Sequence, residues 1–392
     1  MDSETKSNNI VCDNGSGYIK IGHGGDNFPL YTLQGVVGRP LIRSGEKVDG
    51  GELKDIMICD ETTKYRSMLE LSYPLIEGTV KNWDDMELVW EYAFQNKMNL
   101  GDLGDKNVLL TEAAVSPKKN RIKMADIMFN KFGWGGLTFE IQALLCLFCE
   151  GLITGLVLDS GDGVSHTIPV SEGYVLDDYV QRLNVAGRHV TEYLGKLLLF
   201  SGYAFNSSSD YEILRTIKET ACYVSYDIQR DRKLARDTCV VSKEYRLPDK
   251  KKITIGRERF EAAECLFDPS LIDVEREGIP NMILETIMKS PLDCRKDLYN
   301  NIVLSGGSTM FPGYPTRVEK DLWSLFREII MEGKDYEHGI KIRINDSFRR
   351  KHSVFTGGSV LSQLKGLNWV TKEQYDEEGE RCILGSAIRS AT

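Results

Sequence analysis

The chain has 392 residues, more than one hydrophobic core usually carries, so two domains are expected. Its formal net charge of −9 argues against nucleic acid or anionic lipid as the main partner, because both demand dense Lys/Arg patches. With 41% hydrophobic and 27% charged residues the composition fits packed cores under a soluble surface, and nine cysteines behind a polar start without an apolar signal core read as reduced cytosolic thiols.

Residues 10–22, IVCDNGSGYIKIG, set two short apolar runs around a Gly-rich turn and predict a β-hairpin. Residues 35–73 are polar, with Gly45, Gly50 and Gly51, and read as a small, irregular, exposed insert. Asn82 is placed to cap a helix over 85–95, where Met86, Val89, Trp90 and Phe94 share one face. VLLTEA (108–113) predicts a buried strand, and 118–131 and 140–149 have helical spacing. The most apolar stretch, Ile141 to Leu158, is broken by Gln142, Glu150, Thr154 and two glycines. It suits a buried helix followed by a buried strand and not a membrane span. A strand over 151–170 breaks at Ser160-Gly161-Asp162-Gly163 and resumes. Helices are expected over 187–200 and 209–226, strands over 239–260 around the polar turn PDKKK, and a helix over 280–290. VLSGGSTMFPG (303–313) reads as strand, Gly-rich loop and helix, and VFTGGSVLSQL (354–364) repeats that plan. Residues 327–340 read as a charged surface connection.

One pattern occurs twice. Cys12-Asp13-Asn14-Gly15-Ser16-Gly17 and Leu158-Asp159-Ser160-Gly161-Asp162-Gly163 share an apolar residue, an Asp, and two glycines separated by small polar residues. The aspartates lie 146 residues apart, a spacing for a duplicated domain and not for a solenoid. A Gly-rich turn after a strand exposes backbone N–H groups with no Cβ in the way, and such a concavity binds phosphate. Two turns could grip one polyphosphate from opposite sides. Asp13 and Asp159, each ending a strand, then imply a hard divalent cation, Mg²⁺ held partly through water. Ser16 adds a hydroxyl, and Lys20 could neutralise phosphate charge. A single such turn is more often an ordinary hairpin; two with the Asp placed alike are not. The chain has no G-x-x-x-x-G-K-[ST] loop and no G-x-G-x-x-G, so P-loop and dinucleotide-binding folds are excluded at this level.

Other features have plainer readings. Cys146-Leu-Phe-Cys149 has the spacing of half a zinc site, but no second Cys or His pair follows at ligand spacing, so buried thiols are expected. Lys250-Lys251-Lys252 reads as a solvated hairpin turn. A His on a strand, such as His166, is usually a core residue; its position just after the second turn favours a nucleotide role.

DNGSGYIKIG, LLTEA with PKKNR, IQALL, DSGDGVSHTIPV, LSGGSTMFPG and KHSVFTGGSVL resemble, in this order and over about residues 10–380, the phosphate and adenosine segments of the actin superfamily. The resemblance implies an α/β, two-lobed actin-like ATPase fold of duplicated ribonuclease-H-like domains with four subdomains. These are 1–34 plus 74–149 plus 353–392; 35–73; 150–185 plus 275–352; and 186–274. It implies ATP or ADP with Mg²⁺ as ligand. Asp13, Asn14, Gly15, Ser16, Gly17 and Lys20 would line one phosphate wall, and Asp159, Gly161, Asp162, Gly163 and Val164 the other. Gly187, Arg215, Lys218, Glu219, Gly307, Met310, Phe311 and Lys351 would surround the adenosine. Gln142 and His166 would position the attacking water, beside Asp159. Phe311 stands where conventional actin has Tyr, His189 where it has Asp, and Ala114 where it has Pro.

RSMLELSYPL (66–75), LLLFSGYAFNSSSDYEILRTIKE (197–219), VSYDIQRDRKLARDT (224–238) and RVEKDLWSLFREIIMEGK (317–334) are more similar to the actin-related branch that nucleates branched filaments than to conventional actin. The implied function is that of an ATP-binding, slowly hydrolysing first subunit of a daughter filament. The implied partners are actin-related protein 3 and the other subunits of a seven-subunit complex, actin, and nucleation-promoting factors. The last would dock amphipathic helices near Phe148, Ile153, Tyr174, Leu361 and Leu364, which are otherwise ordinary core candidates. No nucleic acid and no membrane span are expected, and the location implied is the cytoplasm, the cytoskeleton and cell projections. Three alternatives remain at this level. A filament-forming conventional actin would assemble alone. A sugar kinase of the same clan would need an acceptor site with an Asp base, for which no motif is found. An Hsp70-type chaperone would need a peptide-binding domain, for which 392 residues leave no room.

Overall fold

The computed structural model describes residues 7–41, 54–205, 207–248, 250–331 and 340–386. The chain forms two units. One comprises Met1–Thr154, Val170–Val180 and Arg349–Thr392, the other Gly155–Pro169 and Gln181–Phe348. The backbone therefore passes between them at four points.

In the first unit, Asn9–Asn14 pairs antiparallel with Tyr18–His23, which pairs antiparallel with Tyr31–Gln34. On its other edge Asn9–Asn14 runs parallel to Asn107–Glu112, and that strand parallel to Gly136–Ile141. The two parallel neighbours are buried throughout their centres, as strands covered on both faces must be. Alternation assigns the faces. Ile10, Cys12, Val108 and Leu110 pack with Trp90, Phe94, Met128 and Phe129 from the helical segments 83–97 and 118–132, and with Trp134 just beyond the second. Val11 and Leu109 point the other way, toward Gly358 on the helix Ser353–Leu361.

That helix corrects an expectation. Residues 353–361 are helical throughout and do not run from strand through loop to helix. Its glycines serve close approach, not a turn. A Cβ on Gly357 would fall inside the van der Waals envelope of the Leu145 carbonyl on the helix Gln142–Cys149. The insert at 35–73 is also more regular than its sequence suggests. Val37–Pro40 pairs with Met57–Ile58 and Leu69–Ser72, and Glu61–Tyr65 is helical. Its strands are too short for alternation to show. Arg39 pairs with the wholly buried Asp85 carboxylate, which also accepts from Asn82 Nδ2 at 2.9 Å. Asn82 caps the following helix, as expected, through a bond from the Asp85 N–H. Gly45, Gly50 and Gly51 lie outside the described residues.

The second unit repeats the order of the first sheet. Gly155–Ser160 runs parallel to Ile302–Ser305, which runs parallel to Ile344–Asn345. On its other edge lies Ser165–Ser171, whose residues 165–167 pair antiparallel with Gln181–Leu183. With Gln181–Leu183 counted as the third strand, both sheets run third, second, first, fourth, fifth; Val370–Thr371 adds a sixth at the far edge of the first sheet, and Tyr174–Val175 also pairs with Ser165–Ser171. Between the third and fourth strands stands a block of helices, Gly187–Phe200, Ser208–Ala221, Ile228–Asp237 and Glu258–Glu264, with a hairpin Lys243–Arg246/Lys252–Ile255. Lys250 lies in that hairpin's turn, at φ +71° and exposed, as the sequence suggested.

The helix expected over 209–226 ends at Ala221, and the polar helix Ile228–Asp237 and the strand Gly136–Ile141 carry no marked pattern in the sequence. Residues 327–330 continue the helix that begins at Tyr314; 332–339 lie outside the described residues. No helix among the described residues is long and apolar enough to cross a bilayer.

Candidate nucleotide site

The turn between the first two strands closes on a bond from the Gly15 N–H to the Tyr18 carbonyl, 3.1 Å. A Cβ on Gly15 would stand 2.6 Å from that carbonyl oxygen, so the tight bend requires glycine there. The Gly17 carbonyl accepts from the Gly35 N–H, and Ser16 Oγ from the Gly78 N–H at 3.0 Å. The turn is fixed from both sides before any ligand arrives.

Asp13, 2% exposed, ends the first strand. Its carboxylate accepts from Lys20 Nζ at 2.7 Å, Thr111 Oγ1 at 2.8 Å and Gln142 Nε2 at 3.2 Å. Strand register places Lys20 directly opposite Asp13. Lys20, expected beside phosphate, therefore neutralises the carboxylate here. Gln142 opens the helix Gln142–Cys149 and also donates to the Asn14 carbonyl at 3.2 Å. Trp90 donates its indole N–H to Asn14 Oδ1 at 3.0 Å, while Asn14 Nδ2 is buried without a protein partner. Asn14, Thr111, Glu112, Asn120 and Gln142 are among the residues that line a cavity of about 30 Å³, room for a water.

Lys351 belongs to this unit. Its neighbour His352 is held below the ordinary imidazole value by burial first, then by the charges of Lys20 and Lys351. Thr111, Trp90 and His352 were missed by sequence reasoning. Only Thr111 left a signal, a polar residue inside the apolar run VLLTEA.

The second turn closes in the same way, Gly161 N–H to Val164 carbonyl, 3.1 Å. Its own carbonyls are taken up by the helix that follows: Gly187 N–H donates to Gly161 at 3.1 Å and Arg188 N–H to Asp162 at 2.8 Å. Ser308 Oγ also donates to the Gly161 carbonyl, at 2.6 Å, and Arg188 pairs with the Asp162 carboxylate at 3.1 Å. A side chain at Gly187 would stand 2.7 Å from Ser308 Oγ and 3.4 Å from Lys218 Nζ. Asp159 lies opposite Ser305 in the parallel pair, and Gly306, at φ +88°, lets the next loop press on the Ser160 backbone and the Asp159 carboxylate. Gly163 and Val164 are buried; Gly307 opens the short helical turn Gly307–Met310.

His166, 7% exposed, lies opposite Arg182 on the adjacent strand. Burial, then the Arg182 charge, lowers its pKa to about 4. It is neutral at physiological pH and can orient a water by hydrogen bonding, not as an imidazolium. Lys218 donates to the Gly187 carbonyl at 2.9 Å, and burial lowers its pKa. Arg215 pairs along its helix with Glu212 at 2.7 Å and with Glu219 at 3.8 Å. Met310 is 37% exposed, whereas Phe311 is buried.

Asp13, Asn14, Lys20 and Gln142 are thus bonded together beside the first turn, and Gly161, Gly187 and Lys218 beside the second. What each offers is a set of backbone N–H groups, a strand-end carboxylate and a cation, the donor set that suits a phosphate with a hard divalent ion. The proposed docking residues all lie in the first unit. Ile153, Tyr174 and Leu364 are exposed, Phe148 half-buried and Leu361 buried. A bond from the Gly173 N–H to the Ile153 carbonyl, 2.7 Å, joins two of these segments. Cys146 is buried with its sulfur 3.3 Å from Ser353 Oγ, and burial raises the Cys149 thiol.

A family model described as Actin matches residues 4–385. Actin-related protein 2 of Acanthamoeba castellanii is 48% identical over 378 residues, covering 95% of this chain and 97% of that protein. Actin-related protein 2 of Saccharomyces cerevisiae is 48% identical over 377 residues, 95% of this chain and 96% of its own length. Actin-related protein 2 of Arabidopsis thaliana is 45% identical over 380 residues, 96% and 97% of the two chains.

Proposed function

The chain belongs to the actin family, and from that premise we propose that it is the ATP-binding subunit of a complex that nucleates branched actin filaments, standing first in the daughter filament. The observation that carries this is its likeness, at 45–48% identity over nearly its whole length, to proteins named actin-related protein 2. The partners this gives are actin-related protein 3, the remaining subunits of a seven-subunit assembly, actin, and nucleation-promoting factors near Phe148, Ile153, Tyr174, Leu361 and Leu364. The location it gives is the cytoplasmic cytoskeleton, including cell projections. The four-subdomain division expected from the sequence is part of the same reading.

The residues fit Mg-ATP. Gly15 and Gly161 close matching turns, and Asp13 already gathers three donors that could be exchanged for cation and phosphate contacts. In this reading each unit supplies one turn and one carboxylate, Asp13 or Asp159, to a single magnesium-bound triphosphate. Magnesium held by these carboxylates would offset the triphosphate's charge and make its terminal phosphorus easier to attack. Gln142, tethered by Asp13 and the Asn14 carbonyl, orients a water, and neutral His166 accepts from it. In this reading hydrolysis is slow because His166, with its pKa lowered to about 4, is a weak base, and nucleotide state biases which conformation partners meet.

The test is isolation of the native protein and weighing of its complex, with sedimentation of the purified chain in Mg-ATP and salt. Six co-purifying subunits and a chain that stays in the supernatant alone are expected. A chain that pellets by itself and brings no partners would instead make it a conventional filament former.

A further inference from the structure

Residues 222–226 link two elements that carry the expected adenosine contacts. They follow the helix Ser208–Ala221, which bears Arg215, Lys218 and Glu219. They also touch the loop bearing Met310 and Phe311, since the Val224 N–H donates to the Pro312 carbonyl at 2.8 Å. Gly313, at φ +81°, packs its α-carbon against the Val224 carbonyl, where a side chain could not fit. The segment has no regular structure of its own to hold this position.

Arg317 holds it. This residue sits in the first turn of the helix Tyr314–Leu325 and is 8% exposed. Its Nη1 donates to the Ser225 carbonyl at 2.7 Å, its Nη2 to Glu264 Oε1 at 2.8 Å, and its Nε to Asp321 Oδ2 at 2.6 Å. The guanidinium lies 4.8 Å over the Phe267 ring. One planar cation thus joins three elements: its own helix, the helix Glu258–Glu264, and the 222–226 link. A second arginine, Arg259, fixes the other end of the link through the Ala221 carbonyl at 2.8 Å and the Tyr223 ring at 5.1 Å.

We propose that Arg317 is a positioning residue for the base-binding half of the nucleotide site, setting the spacing between the Lys218 helix and the Met310–Phe311 loop. The phosphate half is tied by different bonds, those from Gly187, Arg188 and Ser308 to the second turn, so loss of Arg317 should be felt by the base and not by the phosphates. The inference rests on the nucleotide reading above.

Removing Arg317 alone would strand the buried Glu264 carboxylate, and replacing both partners by apolar residues avoids that penalty. The test therefore measures binding of Mg-ATP, and of inorganic tripolyphosphate with Mg²⁺, to the full chain carrying Arg317→Met with Glu264→Leu. The expected result is about tenfold weaker Mg-ATP binding with tripolyphosphate affinity unchanged within twofold, as for loss of one positioning contact worth about 1.4 kcal/mol. Arg317→Lys keeps the charge but loses the planar fork, and should show the same split at about threefold; it serves if the double variant does not fold. Unchanged Mg-ATP affinity in a folded variant, or equal losses for both ligands, overturns the role of Arg317. Failure of the unaltered chain to bind Mg-ATP at all overturns the nucleotide reading itself.

Discussion

Gln142 and His166, the two residues proposed to handle the attacking water, are held by different means within their own units. Gln142 is anchored by three acceptors around Asp13, so its amide is aimed by the first turn. Substitution Gln142→Ala should slow ATP hydrolysis roughly tenfold to a hundredfold and leave Mg-ATP affinity within about twofold; single-turnover phosphate release beside equilibrium binding reads both. His166 makes a stability prediction with a definite sign. Its folded pKa of about 4 lies below the ordinary 6.5, so between these values the unfolded chain binds more protons. Stability from this group is complete above pH 6.5 and is lost as pH falls toward 4, by about 3 kcal/mol in all. Urea unfolding at pH 7 and pH 5 should show the loss, and His166→Gln should flatten it. Equal pH dependence in both proteins would mean that other groups carry the acid limb. At Asn14, a high-resolution density map should show a water within hydrogen-bond distance of the buried Nδ2, since an unmet buried donor costs about 1–3 kcal/mol. At this scale the sequence was most legible where chemistry repeats. The Asp-x-Gly-x-Gly turns could be read directly. Trp90 and His352 could not, because their roles come from which strand or helix end lies beside them.

At the scale of elements, hydrophobic period revealed strands and helices with one buried face, and failed where glycine or polarity hid the purpose. Gly357 and Gly358 look like a loop signal in isolation. In the fold they are a flat face on a helix, pressed against the Leu145 carbonyl and the Val11 and Leu109 side chains. Gly357→Ala should therefore destabilise by about 2 kcal/mol or more, a small-to-large change with backbone as the obstacle, even though alanine is the better helix former. Chemical denaturation measures it; a neutral or stabilising result would show that the two helices can move apart freely. The helix Ile228–Asp237 escaped notice for the opposite reason: it buries no side chain, so no apolar period marks it, and only the Asp227 cap, with bonds from the Gln229 and Arg230 N–H groups, announces its start. The helix over 208–221 ends five residues before the expected point, and the chain beyond it is held instead by Arg317 and Arg259, which bond the Ser225 and Ala221 carbonyls from elements far away in sequence. No local rule could have foreseen that.

For the whole molecule, the doubled turn was the sequence's best guide to the fold, and the repeated strand order in the two sheets is its counterpart in three dimensions. If both units contribute a carboxylate to one ligand, Mg-ATP at a hundred times its dissociation constant should stabilise the chain by about 2.7 kcal/mol. Either Asp13→Ala or Asp159→Ala should remove most of the magnesium-dependent part. Thermal unfolding with Mg-ATP, with ATP and EDTA, and without nucleotide tests this. A magnesium effect that survives one substitution but not the other would assign the cation to a single unit.

Neither unit is one continuous stretch of polypeptide, because the backbone switches after residues 154, 169, 180 and 348. A truncation made at any of those points cannot liberate an intact half: it leaves the remaining sheet short of a strand or a covering helix that arrives from another part of the gene. To study one half by itself, an experimenter would have to splice distant coding segments together with designed linkers. A stop codon late in the message would remove the helix at 353–361, and with it the cover over strands translated hundreds of codons earlier.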